Sequence, residues 1–164
     1  MDQRIVVMGV AGSGKSAVGA ALAQALGHGF CDVDGLHPAA NVAKMAAGTP
    51  LTDADRWPWL DRVAAELAAR PPLVMACSAL RRAYRDRIRA GAGGPVLFIH
   101  LTGPRQVIAE RLAARKGHFM PPALLDSQLA TLEPPGEGEE ALVQDLSPDL
   151  PRILQDLTKA LARR

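Results

Sequence analysis

An α/β protein built on a parallel sheet is what this sequence predicts, and three observations predict it. Gly9-Val10-Ala11-Gly12-Ser13-Gly14-Lys15-Ser16 fits the phosphate-binding pattern of glycine, any four residues, glycine, lysine and serine or threonine. Short apolar, β-branched runs alternate with segments at helical spacing, the order expected of right-handed crossovers between parallel strands. The 164 residues are 48% hydrophobic, enough for one domain with a sizeable core. No internal repeat or linker divides the chain, so residues 1–164 read as a single domain.

Arg4 to Met8 reads as the first buried strand. After the glycine loop, Val18, Ala21, Leu22 and Ala25 fall at helical spacing, and Gly27 sits where a helix would stop. The second strand is expected at Gly29 to Val33 and the third at Leu73 to Cys77, after the turn pair Pro71-Pro72. Between them an insertion holds two helices. One is expected from Pro38 to Ala47, with proline in its first turn. The other begins near Thr52, with Asp53 and Asp55 in its first turn and an apolar stripe of Leu60, Val63, Ala64 and Leu67. Pro58 either kinks that helix or marks its start. Further helices are expected at Leu80 to Ala90, Arg105 to Lys116, Ala123 to Leu132 and Leu150 to Arg163, with strands at Val96 to Leu101 and Ala141 to Gln144.

Aromatic residues make up only 4%, so core packing falls to Ala, Val and Leu. A net charge of +2, from 19 basic and 17 acidic residues, offers neither a nucleic-acid footprint nor a membrane patch. No stretch approaches the roughly 18 apolar residues of a membrane span. With no signal peptide, the expectation is a cytosolic protein. Cys31 and Cys77 fall in apolar segments and read as reduced core residues.

The loop glycines let successive N–H groups face phosphate oxygens, at a helix N-terminus that favours negative charge. Lys15 can reach the outer phosphates, and the Ser16 hydroxyl suits a magnesium ligand, so the chain is expected to bind MgATP. Ligands in parallel sheets gather at the carboxyl ends of strands, which brings in Asp32, Asp34 and His37 after strand two. Two apart on a strand, the two aspartates share a face: one suits magnesium and the other an acceptor hydroxyl. Strand three ends in Cys77-Ser78 without the acid that many phosphate-loop ATPases place there, which argues against a motor and leaves the metal to the Asp32 pair. Asp32-Val33-Asp34-Gly35 also fits a short GTPase element, yet no asparagine-lysine-any-aspartate segment follows. Arg111 and Arg115 share a helix face and lead into Lys116 to Pro122, a stretch that reads as a basic lid over the migrating phosphoryl group. His100 reads as structural.

Several stretches together resemble the gluconate kinases: Gly9 to Ser16, Asp32 to Pro38, Asn41 with Lys44-Met45, and Gly48 to Leu60. Cys77 to Leu80, Tyr84-Arg85-Asp86, Arg115 to Met120, Ser127-Gln128 and Leu132-Glu133-Pro134 continue the match over nearly the whole chain. The resemblance implies ATP-dependent phosphorylation of D-gluconate at its 6-hydroxyl. It implies the three-layer fold of nucleoside monophosphate and shikimate kinases, with five parallel strands ordered 2-3-1-4-5. A substrate-binding insertion at about residues 36–60 and a lid at about residues 115–123 would complete it. On this resemblance Lys15, Asp34 and Arg115 are catalytic, with Asp34 meeting the acceptor hydroxyl. Arg56 takes the carboxylate, and His37, Arg81, Arg85, His118 and Gln128 complete the acceptor set. ATP would lie on residues 9–16, Arg111, Arg115 and Pro148, and magnesium on Ser16 and Asp32. The resemblance also suggests a homodimer. A shikimate-type or other small-acid kinase is the alternative, and a nucleotide-binding switch a more distant one.

Overall fold

The structure, a computed structural model, describes residues 3–114 and 122–164. Five parallel strands form one sheet: β1 (Arg4–Met8), β2 (Gly29–Asp32), β3 (Leu73–Ala76), β4 (Leu97–Thr102) and β5 (Ala141–Asp145). Their order is β2-β3-β1-β4-β5, as the resemblance implies. The register pairs Val7 with Ala76 on one side and with Ile99 on the other, which brings the carboxyl ends of β1, β3 and β4 to one level.

Alternation along β1 divides the core between the two faces. Ile5 and Val7 pack with Val18 and Leu22 of α1 (Lys15–Leu26), Ile108 of α5 (Arg105–Ala114), Leu125 of α6 (Pro122–Thr131) and Ile153 of α7 (Leu150–Ala162). Val6 and Met8 pack on the other face, with Leu60, Val63 and Leu67 of α3 (Asp53–Ala69) and Ile88 of α4 (Arg82–Gly91). Fully burying a leucine such as Leu22 or Leu60, both 0% exposed, stabilises by about 1.5–3 kcal/mol, which fixes both helical layers to the sheet. Cys77 belongs to this core, but Cys31 is only partly buried, so the expectation of two core thiols holds for one.

Several boundaries differ from the sequence expectation by a residue or two. The strand expected to reach Val33 ends at Asp32, and Val33–Leu36 form a 3-10 turn before α2 (Ala39–Ala46). Asp32 causes the change, because its Oδ1 accepts the Asp34 N–H at 3.1 Å and so caps the turn. Thr52 does cap α3, through a capping box with Asp55, and the helix runs on through Pro58. Pro58 therefore neither starts the helix nor ends it. Helix α4 begins at Arg82 and not at Leu80, because Ala79 takes a positive φ of 45° and turns the chain. The helix expected to reach Lys116 is described to Ala114; Arg115 and Lys116 lie outside the described residues, as does most of the expected lid.

Candidate active site

The phosphate loop leaves β1 and enters α1 with no side-chain cap at Gly14. Gly14, the N-cap, has φ 88°, a left-handed conformation that glycine adopts without strain. Gly12 has φ 81°, and a Cβ there would come within 2.6 Å of Leu112, so neither its backbone nor its space admits a side chain. Ser13 Oγ is buried and has no hydrogen-bond partner.

Ser16 Oγ donates to Asp32 Oδ2 at 2.8 Å, which joins the two residues expected at magnesium. These are hard oxygen ligands, and magnesium usually takes only one or two protein carboxylates beside phosphates and water, so the pair fits that ion. The charges of Lys15, Asp32 and Asp34 all act on the Cys77 thiol at the end of β3. Burial is the larger influence there and pushes the thiol up to about 12, so Cys77 stays protonated.

A second cluster is built by α3 and the turn after β2. Trp59 donates its Nε1–H to the Val33 carbonyl at 3.0 Å and stacks on His37 at 4.2 Å between ring centroids, which holds the turn carrying Asp34. Asn41, 3% exposed, donates its amide to the Asp55 carbonyl and faces His37 Nδ1 at 3.2 Å. Nδ1 is then the acceptor, and Nε2 carries the proton of the neutral ring. Burial lowers the His37 pKa below its ordinary value; Asp34 opposes this and Arg56 adds to it, so both charges reach the ring. The sequence offered no role for Trp59 or Asn41.

Arg56 donates from Nη1 to the Leu51 carbonyl at 2.9 Å and lies 3.5 Å from Asp53 and 5.4 Å from the Tyr84 ring centroid. Arg81 approaches the other oxygen of Asp53 at 3.9 Å, and the Tyr84 hydroxyl donates to Asp53 at 2.6 Å. Asp34 and Arg56 therefore stand close to His37, Arg81 joins Arg56 at Asp53, and Ser16 meets Asp32. Beyond β5, Arg111 reaches the Ser147 carbonyl at 3.5 Å, next to the half-buried Pro148.

One expected acceptor contact is corrected. Arg85 is 0% exposed: it donates from Nε and Nη2 to Glu139 at 2.7 and 3.1 Å and to the carbonyls of Ala79 and Glu133, both at 2.8 Å. Those bonds commit it to the core. Gln128 Oε1 accepts the Ala11 N–H of the phosphate loop at 2.8 Å. Arg115 and His118 lie outside the described residues.

The AAA domain family matches residues 5–135. A gluconokinase of Gluconobacter oxydans is 49% identical over 142 residues, covering 84% of this chain and 79% of that protein. The crystal structure of a gluconokinase from Sinorhizobium meliloti superposes with a TM-score of 0.90 at 49% identity, covering 99% of this chain and 93% of the other. A shikimate kinase from Acinetobacter baumannii shares the fold, with a TM-score of 0.63, at 18% identity over 99% of this chain and 94% of its own.

Proposed function

The chain belongs to the gluconokinase family of phosphate-loop kinases, and from that premise we propose that it transfers the γ-phosphoryl group of ATP to the 6-hydroxyl of D-gluconate. The observation that carries this reading is the meeting of two unlike sets of groups at the carboxyl ends of β1, β2 and β3. One is a phosphate loop with Lys15 and the Ser16–Asp32 pair; the other is a cleft with Asp34, His37 and Arg56.

The carboxylate of gluconate lies on the guanidinium of Arg56, whose planar fork matches two oxygens at once. The neutral His37 offers its Nε2–H to a hydroxyl of the sugar chain. Asp34 accepts a hydrogen bond from the 6-hydroxyl and orients its oxygen toward the γ-phosphorus. As the new oxygen–phosphorus bond forms, the bond from the γ-phosphorus to the β,γ-bridging oxygen breaks and ADP leaves. In the loose transition state of such transfers the hydroxyl proton leaves late, to the Asp34 carboxylate. Lys15 and the loop N–H groups stabilise charge on the transferring group. Ser16 and Asp32 would hold magnesium, which supplies further charge neutralisation when bound. Arg111 and Pro148 border the adenine side, and Arg115 and His118 keep the lid roles that the resemblance assigns. Residues 1–164 work as one domain, in the cytosol and as a homodimer; those three expectations rest on the sequence and the resemblance.

A coupled ADP assay across gluconate, shikimate, glycerate and nucleoside monophosphates tests the substrate. ADP formation that depends on gluconate is the expected result. Equal or faster ADP formation with shikimate, or ATP hydrolysis indifferent to any acceptor, overturns it.

A further inference from the structure

The Gln128 contact belongs to a helix that meets the phosphate loop, and the segment just after that helix reaches the start of α4. At one place α6 meets the phosphate loop: Ala11, the third residue of that loop, gives its N–H to Gln128 Oε1 at 2.8 Å across 117 positions of sequence. A backbone N–H faces the amide, so the atom that meets it is the oxygen. The same helix places Leu125 in the core with Val10 and with Leu112, the residue that closes over Gly12. One turn on from Gln128, the chain reaches α4. Glu133 N–H donates to the Leu80 carbonyl at 2.7 Å, and Glu133 Oε1 accepts the Arg82 N–H at 2.9 Å, at the start of α4 and beside Arg81. The Arg105–Asp126 pair at 2.6 Å fixes the middle of α6 to α5.

We propose that Gln128 is a positioning residue for phosphoryl transfer: its side-chain carbonyl sets the register of the phosphate loop against α6, whose continuation through Glu133 is bonded to the start of α4. This rests on the kinase reading above and takes Gln128 out of the acceptor set. Transfer rates fall steeply when reacting atoms are misplaced by fractions of an ångström, so a loop released from α6 loses rate before it loses substrate.

Gln128→Met keeps length and volume and removes the acceptor. In steady-state kinetics kcat is expected to fall roughly tenfold, the loss that follows leaving a half-buried N–H unsatisfied, with KM for gluconate held within about twofold. Hydrogen exchange of the Ala11 amide, followed by NMR in the nucleotide-free protein, should speed by about tenfold or more. Gln128→Glu retains an acceptor oxygen, so in that variant Ala11 exchange should stay slow; this arm also serves if the methionine variant folds poorly. Ala11 exchange unchanged in Gln128→Met overturns the tether. A raised KM for gluconate with kcat intact returns Gln128 to the acceptor site. If the parent protein itself fails to phosphorylate gluconate, the proposed activity falls while the exchange comparison still decides the tether.

Discussion

Arg56 and Arg81 share the carboxylate of Asp53, and Arg85 and Arg89 share that of Glu139, yet the two groups have opposite fates. In the first, contacts are 3.5 and 3.9 Å, and the side chains of Arg56, Arg81 and Asp53 remain 30%, 45% and 46% exposed. In the second, contacts are 2.7 and 2.9 Å, and the side chains of Arg85 and Glu139 are 0% and 1% exposed. Burial pushes the Glu139 carboxyl up, but hydrogen bonds from Arg85, the Gly136 N–H and Arg89 outweigh it and hold it at about 2. Each guanidinium nitrogen of Arg85 finds an acceptor within the protein, whereas Arg56 gives one hydrogen bond to a carbonyl and a longer contact to Asp53. An arginine whose neighbours leave it incompletely paired keeps donors for a further partner. An arginine that is fully paired serves the fold.

The sharpest way to break this division is to change a charge on the open side and look for damage to the fold. Asp34→Asn should lower turnover by about 10²–10⁴-fold, the usual contribution of a general base, with the KM for ATP nearly unchanged. Asp34 is exposed, so thermal stability should stay within about 0.5 kcal/mol of the parent. Loss of ATP binding instead would assign Asp34 to magnesium and leave Asp32 as the base.

The closed side should behave in reverse. Glu139→Gln leaves the Arg85 guanidinium buried without its counter-charge, at a cost of about 3–5 kcal/mol. For a chain of this size that is a fall in melting temperature of about 10 °C or more, with turnover per folded molecule little changed. The same pair sets acid sensitivity. Because the folded-state pKa of Glu139 is depressed from 4.5 to about 2, its contribution is full above pH 4.5 and is lost as pH falls toward 2. Urea unfolding across that window should show a steeper loss of stability in the parent than in Glu139→Gln. Parallel curves would mean that the pair contributes nothing to acid stability.

Smaller effects sharpen the open side. Arg56→Lys replaces a fork by a point charge and should raise KM for gluconate by roughly tenfold while sparing ATP. An equal rise for both substrates would move the carboxylate to Arg81. Asp53→Asn removes the shared counter-charge and should lower KM for gluconate by no more than about two- to fivefold, the scale of an exposed ion pair.

Local signals made much of this legible in the sequence. The glycine loop between a β-branched run and a helical stripe announced β1, its turn and α1, and Thr52 with Asp55 announced the start of α3. Strand order came with the family resemblance. Long-range pairing was not legible. Arg81, Arg82 and Arg85 form one basic run, and only Glu139, 54 positions away from Arg85, decides which of them turns inward. A clue was present: Arg85 lies on the helix face of Tyr84 and Ile88, both buried, and a charge on an apolar stripe needs a buried partner. Gln128 gave no such clue, since its partner is a backbone N–H, which every sequence offers everywhere. The pairing of Asp32 with Asp34 was expected for the wrong reason, strand alternation, whereas the two are joined by a capped 3-10 turn.

Cys77, buried in the core just after β3, gives the molecule an internal clock. With its thiol at about 12 and its side chain 1% exposed, an alkylating reagent can take it only when that core opens. The labelling rate at Cys77 therefore counts openings of that core, one molecule at a time, with the partly exposed Cys31 as the second thiol to be replaced beforehand. Any ligand that bridges the phosphate loop and the Asp34 turn should slow that clock in proportion to its occupancy, whether or not it can be turned over.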